Sequence, residues 1–210
     1  MADLGVTTAF RQVPRIAAST SVQALPPATR YILRGGPDVM TAAGQSLGLT
    51  ISPTACRAAT APNNLAALWL GPDEQLLLGL ERCDIAAALG PALRALPHSL
   101  VDVSHRQTAL QASGPDATVL LNAGCPLDLD PSAFPVGMCT RTVLAKAEIV
   151  LWRRGPDVFH VEVWRSFADY LSSFLAEVVR ELGTASPGQP RPGVPRIDAE
   201  QAKPAQEENL

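Results

Sequence analysis

The sequence predicts an α+β fold in which one β-α-β-β-α unit occurs twice, with mainly antiparallel sheets. The tripeptide Gly-Pro-Asp appears four times, beginning at Gly36, Gly71, Gly114 and Gly155. A helix-like stretch follows the first and third copies, whereas an apolar strand and a longer helix follow the second and fourth. Gly-Pro-Asp suits many turns, so one or two copies would mean little. Four copies with matching downstream patterns indicate a duplicated unit.

The first predicted unit spans residues 28–97 and opens with a strand around residues 31–33. The turn at Gly36 leads into a short helix over residues 38–47, because proline is tolerated at a first helical position and aspartate there faces the positive end of the helix dipole. Gly48 suits the left-handed position that ends a helix.

A hairpin and a second helix complete this unit. Residues 65–70 and 75–80 are apolar strands on either side of the turn at Gly71. Asp84 is a predicted N-cap for a helix with apolar residues on one side. Pro91 lies inside that helix and should kink or split it.

The second predicted unit spans residues 98–183 and repeats this order. Residues 108–112 form its first strand, and residues 116–123 form a helix that Gly124 stops. Residues 148–153 and 158–164 pair as a hairpin. The long helix that follows presents Phe167, Tyr170, Leu171, Phe174, Val178 and Leu182 at helical spacing.

The two ends of the chain differ from these units in composition. Residues 1–27 are polar and irregular, and predict an extended N-terminal arm. Residues 184–210 contain five prolines and almost no large apolar side chain. Such a tail cannot bury enough surface to offset its chain entropy, so it is ordered only along a neighbour, if at all.

Composition excludes several classes of function. The 210 residues carry a net charge of -3 and no basic cluster, which argues against nucleic-acid binding. Charged residues make up only 18%, which indicates surface buried against partners, although an ordinary Ala- and Leu-rich composition explains the value equally well. The four dispersed cysteines form no C-x-x-C pair, and no export signal is present. We therefore expect a cytoplasmic protein with free thiols.

The polar residues give no convincing catalytic set. Asp102, Ser104 and His105 suggest a hydrolase, but adjacent strand residues point to opposite faces, so His105 cannot activate Ser104. These side chains more simply close a strand end or loop. His160 is a lone strand histidine that we expect on an exposed or interface face, with a structural role. Neither a metal set nor a Gly-rich phosphate loop is recognisable.

A thiol enzyme is a further hypothesis. Cys139 could be reactive if Arg141, two residues away on a strand, lowered its pKa. Cys125 is the other candidate nucleophile. The preferred interpretation is a buried small residue beside an arginine that contacts a partner.

The second unit resembles the gamma subunits of heterotetrameric sarcosine oxidase. The resemblance is carried by VDVSHRQTAL at 101–110, SGPDA at 113–117, LLNAGCPLDL at 120–129, CTRT at 139–142, KAEIVLWR at 146–153 and WRSFADY at 164–170. It is weaker over residues 65–98 and slight elsewhere. The resemblance implies a complex with alpha, beta and delta subunits that oxidises sarcosine to glycine, releasing formaldehyde or methylenetetrahydrofolate together with hydrogen peroxide. It also implies FAD, FMN and NAD on the larger subunits, zinc on the delta subunit, and no cofactor or catalytic residue on this chain.

The pattern is also distantly similar to the aminomethyltransferase and folate-binding family, which implies an aminomethyltransferase-like folate-binding fold. A related group there carries a K-G-C-Y-x-G-Q motif, but residues 137–143 read GMCTRTV and keep only the cysteine. This departure predicts the fold without a functional folate site. A stand-alone folate-binding protein is the alternative function.

A non-catalytic subunit needs side chains that contact partners. Arginine and tryptophan are suited to desolvated contacts. The candidate interface residues are Arg106, Arg141, Arg153, Arg165, Trp152 and Trp164, although each arginine could instead be a solvated surface residue.

Overall fold

A computed structural model of the chain describes residues 20–184. The strands in this part are β1 (Ser21–Ala24), β2 (Ala28–Gly35), β3 (Ala58–Thr60), β4 (Ala66–Gly71), β5 (Glu74–Leu80), β6 (His98–Asp102), β7 (Gln107–Ser113), β8 (Cys139–Leu144), β9 (Ala147–Gly155) and β10 (Val158–Trp164). The helices are α1 (Pro37–Leu47), α2 (Ile85–Leu93), α3 (Ala117–Asn122) and α4 (Ala168–Thr184), with a 3-10 turn at Arg165–Phe167 before α4. The predicted C-terminal tail, apart from Thr184, and most of the predicted N-terminal arm lie outside the described residues.

The strands form two antiparallel five-stranded sheets with the same internal order. The first sheet runs β6-β2-β5-β4-β3 and the second runs β1-β7-β10-β9-β8. This correspondence confirms the duplicated α+β architecture. Two strands are exchanged: β1 precedes the first unit but pairs with β7 of the second sheet, and β6 opens the second unit but pairs with β2 of the first sheet.

The two sheets pack face to face, with helices on their outer sides. One core lies between the first sheet and α1 and α2, and another lies between the second sheet and α3 and α4. A third core lies between the sheets, where Leu68 and Leu76 of the first sheet meet Cys139 and Trp152 of the second. The result is a four-layer α-β-β-α arrangement, and the candidate site lies at its centre, between the two sheets.

The Gly-Pro-Asp turns lie where the repeat predicts. The copies at Gly71 and Gly155 close the β4–β5 and β9–β10 hairpins, and the other two lead into α1 and α3. Gly48 ends α1 with φ 66°, and the Asp84 carboxylate accepts a hydrogen bond from the Ala87 backbone N–H at 2.9 Å. These local predictions are confirmed.

Some predicted details differ. Helix α2 continues through Pro91 and is not split. The proline is accommodated near the C-terminal end of a nine-residue helix.

No helix among residues 20–184 is long and apolar enough to span a bilayer.

Candidate functional site

The face that the second sheet turns toward the first carries an unusual share of polar residues. Because strand residues alternate between faces, His160, Glu162 and Trp164 of β10 share this inner face. Trp152 is the cross-strand neighbour of His160 and also pairs with Cys139 on β8. Val150 occupies the same position beside Glu162. The opposing face of the first sheet is lined mainly by leucine and alanine.

A buried polar cluster joins the two sheets at this layer. The Arg30 side chain on β2 donates from Nε to Glu162 Oε2 at 2.6 Å and from Nη2 to Oε1 at 3.2 Å. Its Nη1 donates to the Ala28 carbonyl at 3.0 Å. His160 Nε2 lies 2.7 Å from Glu162 Oε1. Arg30, His160 and Glu162 are 2%, 7% and 1% exposed, so one carboxylate is shared by two basic side chains away from solvent.

The carboxylate of this cluster is held in its charged form. Burial alone would raise the pKa of Glu162, but hydrogen bonding and charge from His160 and Arg30 outweigh it and hold the pKa below its usual value. A buried carboxylate that bonds to a guanidinium in this way is suited to fixing two sheets together. It is not positioned to take up a proton near neutral pH.

Two polar atoms next to this cluster lack hydrogen-bond partners among the described residues. They are Trp152 Nε1 and His160 Nδ1, and both are buried. Leaving such an atom unpaired costs roughly 1–3 kcal/mol. The rings of the two residues lie 5.7 Å apart, centroid to centroid. Gln107 Oε1 is a further buried atom without a partner in the described part of the chain, so the Trp152–His160 pair is one of two such places there.

A groove opens at one end of the layer between the sheets, and we call it the Trp164 groove. Its volume is about 260 Å³. The Arg106 guanidinium lies 5.2 Å from the centroid of the Trp164 ring, which is 42% exposed. Val101 on the edge strand β6 is 50% exposed on the other side. Arg141 makes a bidentate ion pair with Glu74, at 2.6 and 3.2 Å, and this pair ties β8 to β5 at the rim.

The structure brings four of the six predicted interface residues together at this groove. Arg106, Arg141 and Trp164 line it. The backbone N–H of Arg165 donates to the Arg106 carbonyl at 3.0 Å, so Arg165 is next to them and its side chain is exposed. Sequence spacing could not show this grouping, because these residues come from separate segments that meet only through sheet packing.

The other two predicted residues lie inside the chain. Trp152 is 6% exposed between the sheets. Arg153, on the opposite face of β9, is 2% exposed, and its guanidinium donates to the carbonyls of Leu129, Phe134 and Pro156. It also lies 5.0 Å from the Phe159 ring centroid. Neither side chain is therefore available on the surface of the isolated chain.

The predicted exposed or interface position of His160 is wrong. His160 is on strand β10, and both faces of this strand are covered. Helices α3 and α4 cover one face, and the first sheet covers the other. Apolar and polar residues alternate in β10, and this pattern alone suggested that the face with His160 is exposed to solvent.

The hydrolase and thiol hypotheses have little support. The Ser104 backbone N–H donates to Asp102 at 2.8 Å, and the Ser104 hydroxyl accepts from the Arg30 N–H at 2.9 Å. These residues close a strand end, as predicted. Cys139 is fully buried, and burial raises its pKa to about 12. Cys125 is 5% exposed. Such thiols are protected from reagents in water.

Comparison with known proteins identifies related chains. Residues 34–181 match the model of the "Sarcosine oxidase, gamma subunit family". A sarcosine oxidase subunit gamma from Corynebacterium sp. (strain P-1) is 36% identical over 119 residues, which cover 57% of this chain. The alignment spans 59% of that relative's own length.

Solved structures give the same grouping. A chain of heterotetrameric sarcosine oxidase from Corynebacterium sp. U-96, in complex with pyrrole 2-carboxylate, is 28% identical with a TM-score of 0.76, covering 83% of this chain and 90% of that one. The glycine cleavage system aminomethyltransferase T from Bartonella henselae is 14% identical with a TM-score of 0.58, covering 76% of this chain and 46% of that one. The second likeness concerns the fold alone.

Proposed function

The chain belongs to the sarcosine oxidase gamma subunit family, and from that membership we propose that it is the non-catalytic gamma subunit of a heterotetrameric sarcosine oxidase. The observation that carries this proposal is the Trp164 groove, where an exposed tryptophan, an exposed valine and arginines converge. The internal polar groups of the chain are, by contrast, largely engaged with one another.

The proposed partners are alpha, beta and delta subunits. In this proposal those subunits carry FAD, FMN, NAD and zinc. They oxidatively demethylate sarcosine to glycine with oxygen as acceptor, yielding hydrogen peroxide and formaldehyde, or methylenetetrahydrofolate when tetrahydrofolate is present. A cytoplasmic location also stays a prediction.

This proposal assigns no catalytic role to the chain, because its chemically reactive side chains are buried or engaged in other contacts. Glu162 is charged and bonded on both sides, and Cys139 has a pKa of about 12. Ser104 has its hydroxyl engaged at a strand end. A nucleophile or proton carrier needs access to a substrate and a pKa suited to its task, and none of these three groups combines the two.

The Trp164 groove has the character of a partner-binding site. Tryptophan and arginine dominate the energetics of protein interfaces, and Arg106 stacked on Trp164 holds both in place. Val101 adds apolar area at the edge of the first sheet. A stable interface buries about 800 Å² on each side, so the groove would be the centre of a larger contact that includes Arg165.

Co-purification of the tagged chain with its neighbouring subunits tests this proposal. We expect Val101→Asp to weaken the complex at least about 100-fold, because a charge would be buried in the contact. Val136→Asp is the matched control, since Val136 is 52% exposed but lies away from the groove. Trp164→Ala should act like Val101→Asp, with Tyr170→Ala as its aromatic control.

Two results would contradict the proposal. One is a stable, monodisperse monomer that enters no complex with the products of neighbouring genes. The other is complex formation that Val101→Asp and Trp164→Ala leave unchanged, which would move the contact to another surface. The likeness of 14% identity concerns the fold alone and gives no support to the stand-alone folate-binding alternative, which tetrahydrofolate titration of the chain would detect.

A further inference from the structure

A second cavity opens between the sheets, and we call it the Trp152 cavity. It lies on the other side of the Arg30–Glu162 pair from the Trp164 groove. Its volume is about 320 Å³, within the range of small-molecule sites. The segment between β1 and β2, the β3–β4 connection and the end of β5 form its mouth.

Polar groups that lack partners are concentrated at this cavity. Trp152 and His160 both line it and are more than nine-tenths buried. Trp152 Nε1 is a donor without an acceptor among residues 20–184. Because His160 Nε2 faces the charged Glu162 carboxylate at 2.7 Å, that nitrogen carries a proton, and Nδ1 has no partner among residues 20–184. The cavity thus offers two polar atoms without partners, one of which is the indole donor.

The charge balance of the cavity favours an anion. Arg30 and Glu162 neutralise each other at its base. Arg154, exposed at the mouth, has no salt-bridge partner in the described part of the chain, and its guanidinium lies 5.0 Å from the Trp152 ring centroid. One positive charge without a salt-bridge partner therefore lies over the Trp152 ring that carries the unused indole N–H.

The segments that form the mouth are mainly apolar, with Thr60 and Asn64 as their polar side chains. Their large apolar residues are Leu25, Pro26, Pro27, Leu65, Leu78 and Leu80. Leu80 at the rim is 60% exposed, the largest exposure among the large hydrophobic side chains of the described residues. A ligand that enters from the mouth would cover this leucine while its polar end met the arginine and the indole.

We propose that the Trp152 cavity binds a small organic acid whose carboxylate is held by Arg154 and the Trp152 indole N–H. The apolar body of the acid packs against the leucine and proline wall, and a hydroxyl group on it forms a hydrogen bond with His160 Nδ1. This site goes beyond the subunit role, because its contacts are separate from Arg106, Val101 and Trp164. Loss of partner binding and loss of acid binding are therefore distinguishable by variant.

Titration of the full-length chain with 3-hydroxybenzoate tests the proposal. The ¹H–¹⁵N resonance of the Trp152 indole, assigned with Trp152→Phe, should shift on binding, while those of Trp69 and Trp164 should not. A dissociation constant on the order of 1 mM is expected for so small a ligand. Uncharged 3-hydroxybenzamide should bind at least about tenfold more weakly, since it lacks the anion that Arg154 pairs with.

Surface arginines provide a matched pair of variants. Arg154→Gln should weaken 3-hydroxybenzoate at least about tenfold, whereas Arg180→Gln, on the exposed side of α4, should leave binding unchanged. Both positions are on the surface, so folding is preserved in each. A silent Trp152 indole at saturating acid, equal binding of the amide, or equal binding by Arg154→Gln would each overturn the proposal and leave ordered water as the partner of these atoms.

Discussion

The Arg30–Glu162–His160 cluster explains how two sheets with different inner faces hold one arrangement. Desolvating an ion pair costs about as much as the attraction between the charges returns. The pair is therefore better understood as specifying which strands face each other than as a large source of stability. Removing one partner has a different effect, because it leaves a buried charge alone.

Removal of the arginine tests this interpretation at the level of single residues. Arg30→Met should lower the free energy of unfolding by about 3–5 kcal/mol, since Glu162 would lose its guanidinium counter-charge. The double variant Arg30→Met/Glu162→Leu should recover much of that loss, because apolar groups then fill the space. Urea unfolding at pH 7 measures both. A single variant within about 1 kcal/mol of the parent would contradict the role given to the pair.

The pH dependence of stability follows from the same carboxylate. Because the pKa of Glu162 is lowered on folding, its ionised form contributes stability that is fully present above the unfolded pKa of about 4.3 and is lost as pH falls through the folded value. Stability of the parent should therefore decline below about pH 4. Glu162→Gln should begin less stable and decline less steeply as pH falls below about 4.3, as measured by thermal unfolding. Parallel curves would exclude Glu162 as a source of the decline.

Cysteine reactivity gives a prediction about the thiol hypothesis. With a pKa of about 12, the Cys139 thiol is almost entirely protonated at pH 8, and its burial excludes reagent. Iodoacetamide should therefore modify the half-exposed Cys56 and Cys83 in the native chain and leave Cys139 intact. Peptide mass spectrometry measures this. Rapid labelling of Cys139 before the chain unfolds would revive the enzyme hypothesis.

At the scale of elements, the sequence predicted those that carry strong local signals. Both hairpins have long apolar strands around Gly-Pro-Asp, and α1 has Gly48 at its end. The polar strands β1 and β6 gave no such signal, because a short edge strand is defined by pairing with a distant strand. Their partners, β7 and β2, are about 86 to 92 and about 63 to 71 positions away in the chain.

The candidate site was predictable only in part, for the same reason. Residue type pointed to Arg106, Arg141 and Trp164, and packing placed them around one groove. Arg153 has the same side chain but is enclosed by the loop that contains Leu129 and Phe134. Sequence neighbours do not reveal whether a loop folds back over a strand, so Arg153 could not be separated from the exposed arginines.

Two glycines, one just after α3 and one within α2, differ in the space available for a larger side chain. A Cβ at Gly124 would lie 2.7 Å from Phe174 Cζ on α4 and 2.9 Å from the Ala145 backbone nitrogen, whereas a Cβ at Gly90 on α2 meets nothing within 4 Å. Gly124→Ala should therefore destabilise the chain by about 1–3 kcal/mol. Gly90→Ala should change the stability by less than about 1 kcal/mol, because the gain in helix propensity is opposed by crowding of the new Cβ against the ring of Pro91. Urea unfolding of both variants decides, and a neutral Gly124→Ala would contradict the close packing of α4 on this turn.

At the scale of the whole molecule, the exchanged strands make the two units dependent on each other. The predicted boundary between residues 97 and 98 separates β6 from its partner β2, and β1 from its partner β7. The boundary itself stays a prediction. It implies two halves of similar design, but each half would lack one strand of its sheet and leave the inter-sheet core exposed to water.

Expression of the halves tests this dependence. Fragments 1–97 and 98–210 should each be unfolded or aggregated alone, because each exposes an unpaired strand edge and apolar surface. Mixed or co-expressed, they should form a folded heterodimer with the circular dichroism spectrum of the whole chain. Cooperative unfolding by either fragment alone would show that exchange is not required for stability.

The pairing of β1 with the second sheet also has a consequence for folding during synthesis. Residues 21–24 are translated before residues 107–113, with which they pair. Their hydrogen-bonding edge therefore stays unpaired during the interval in which all the strands of the first sheet, from residue 28 to residue 102, are made. A chaperone that shields the leading segment during that interval would have a physical reason to act on this chain.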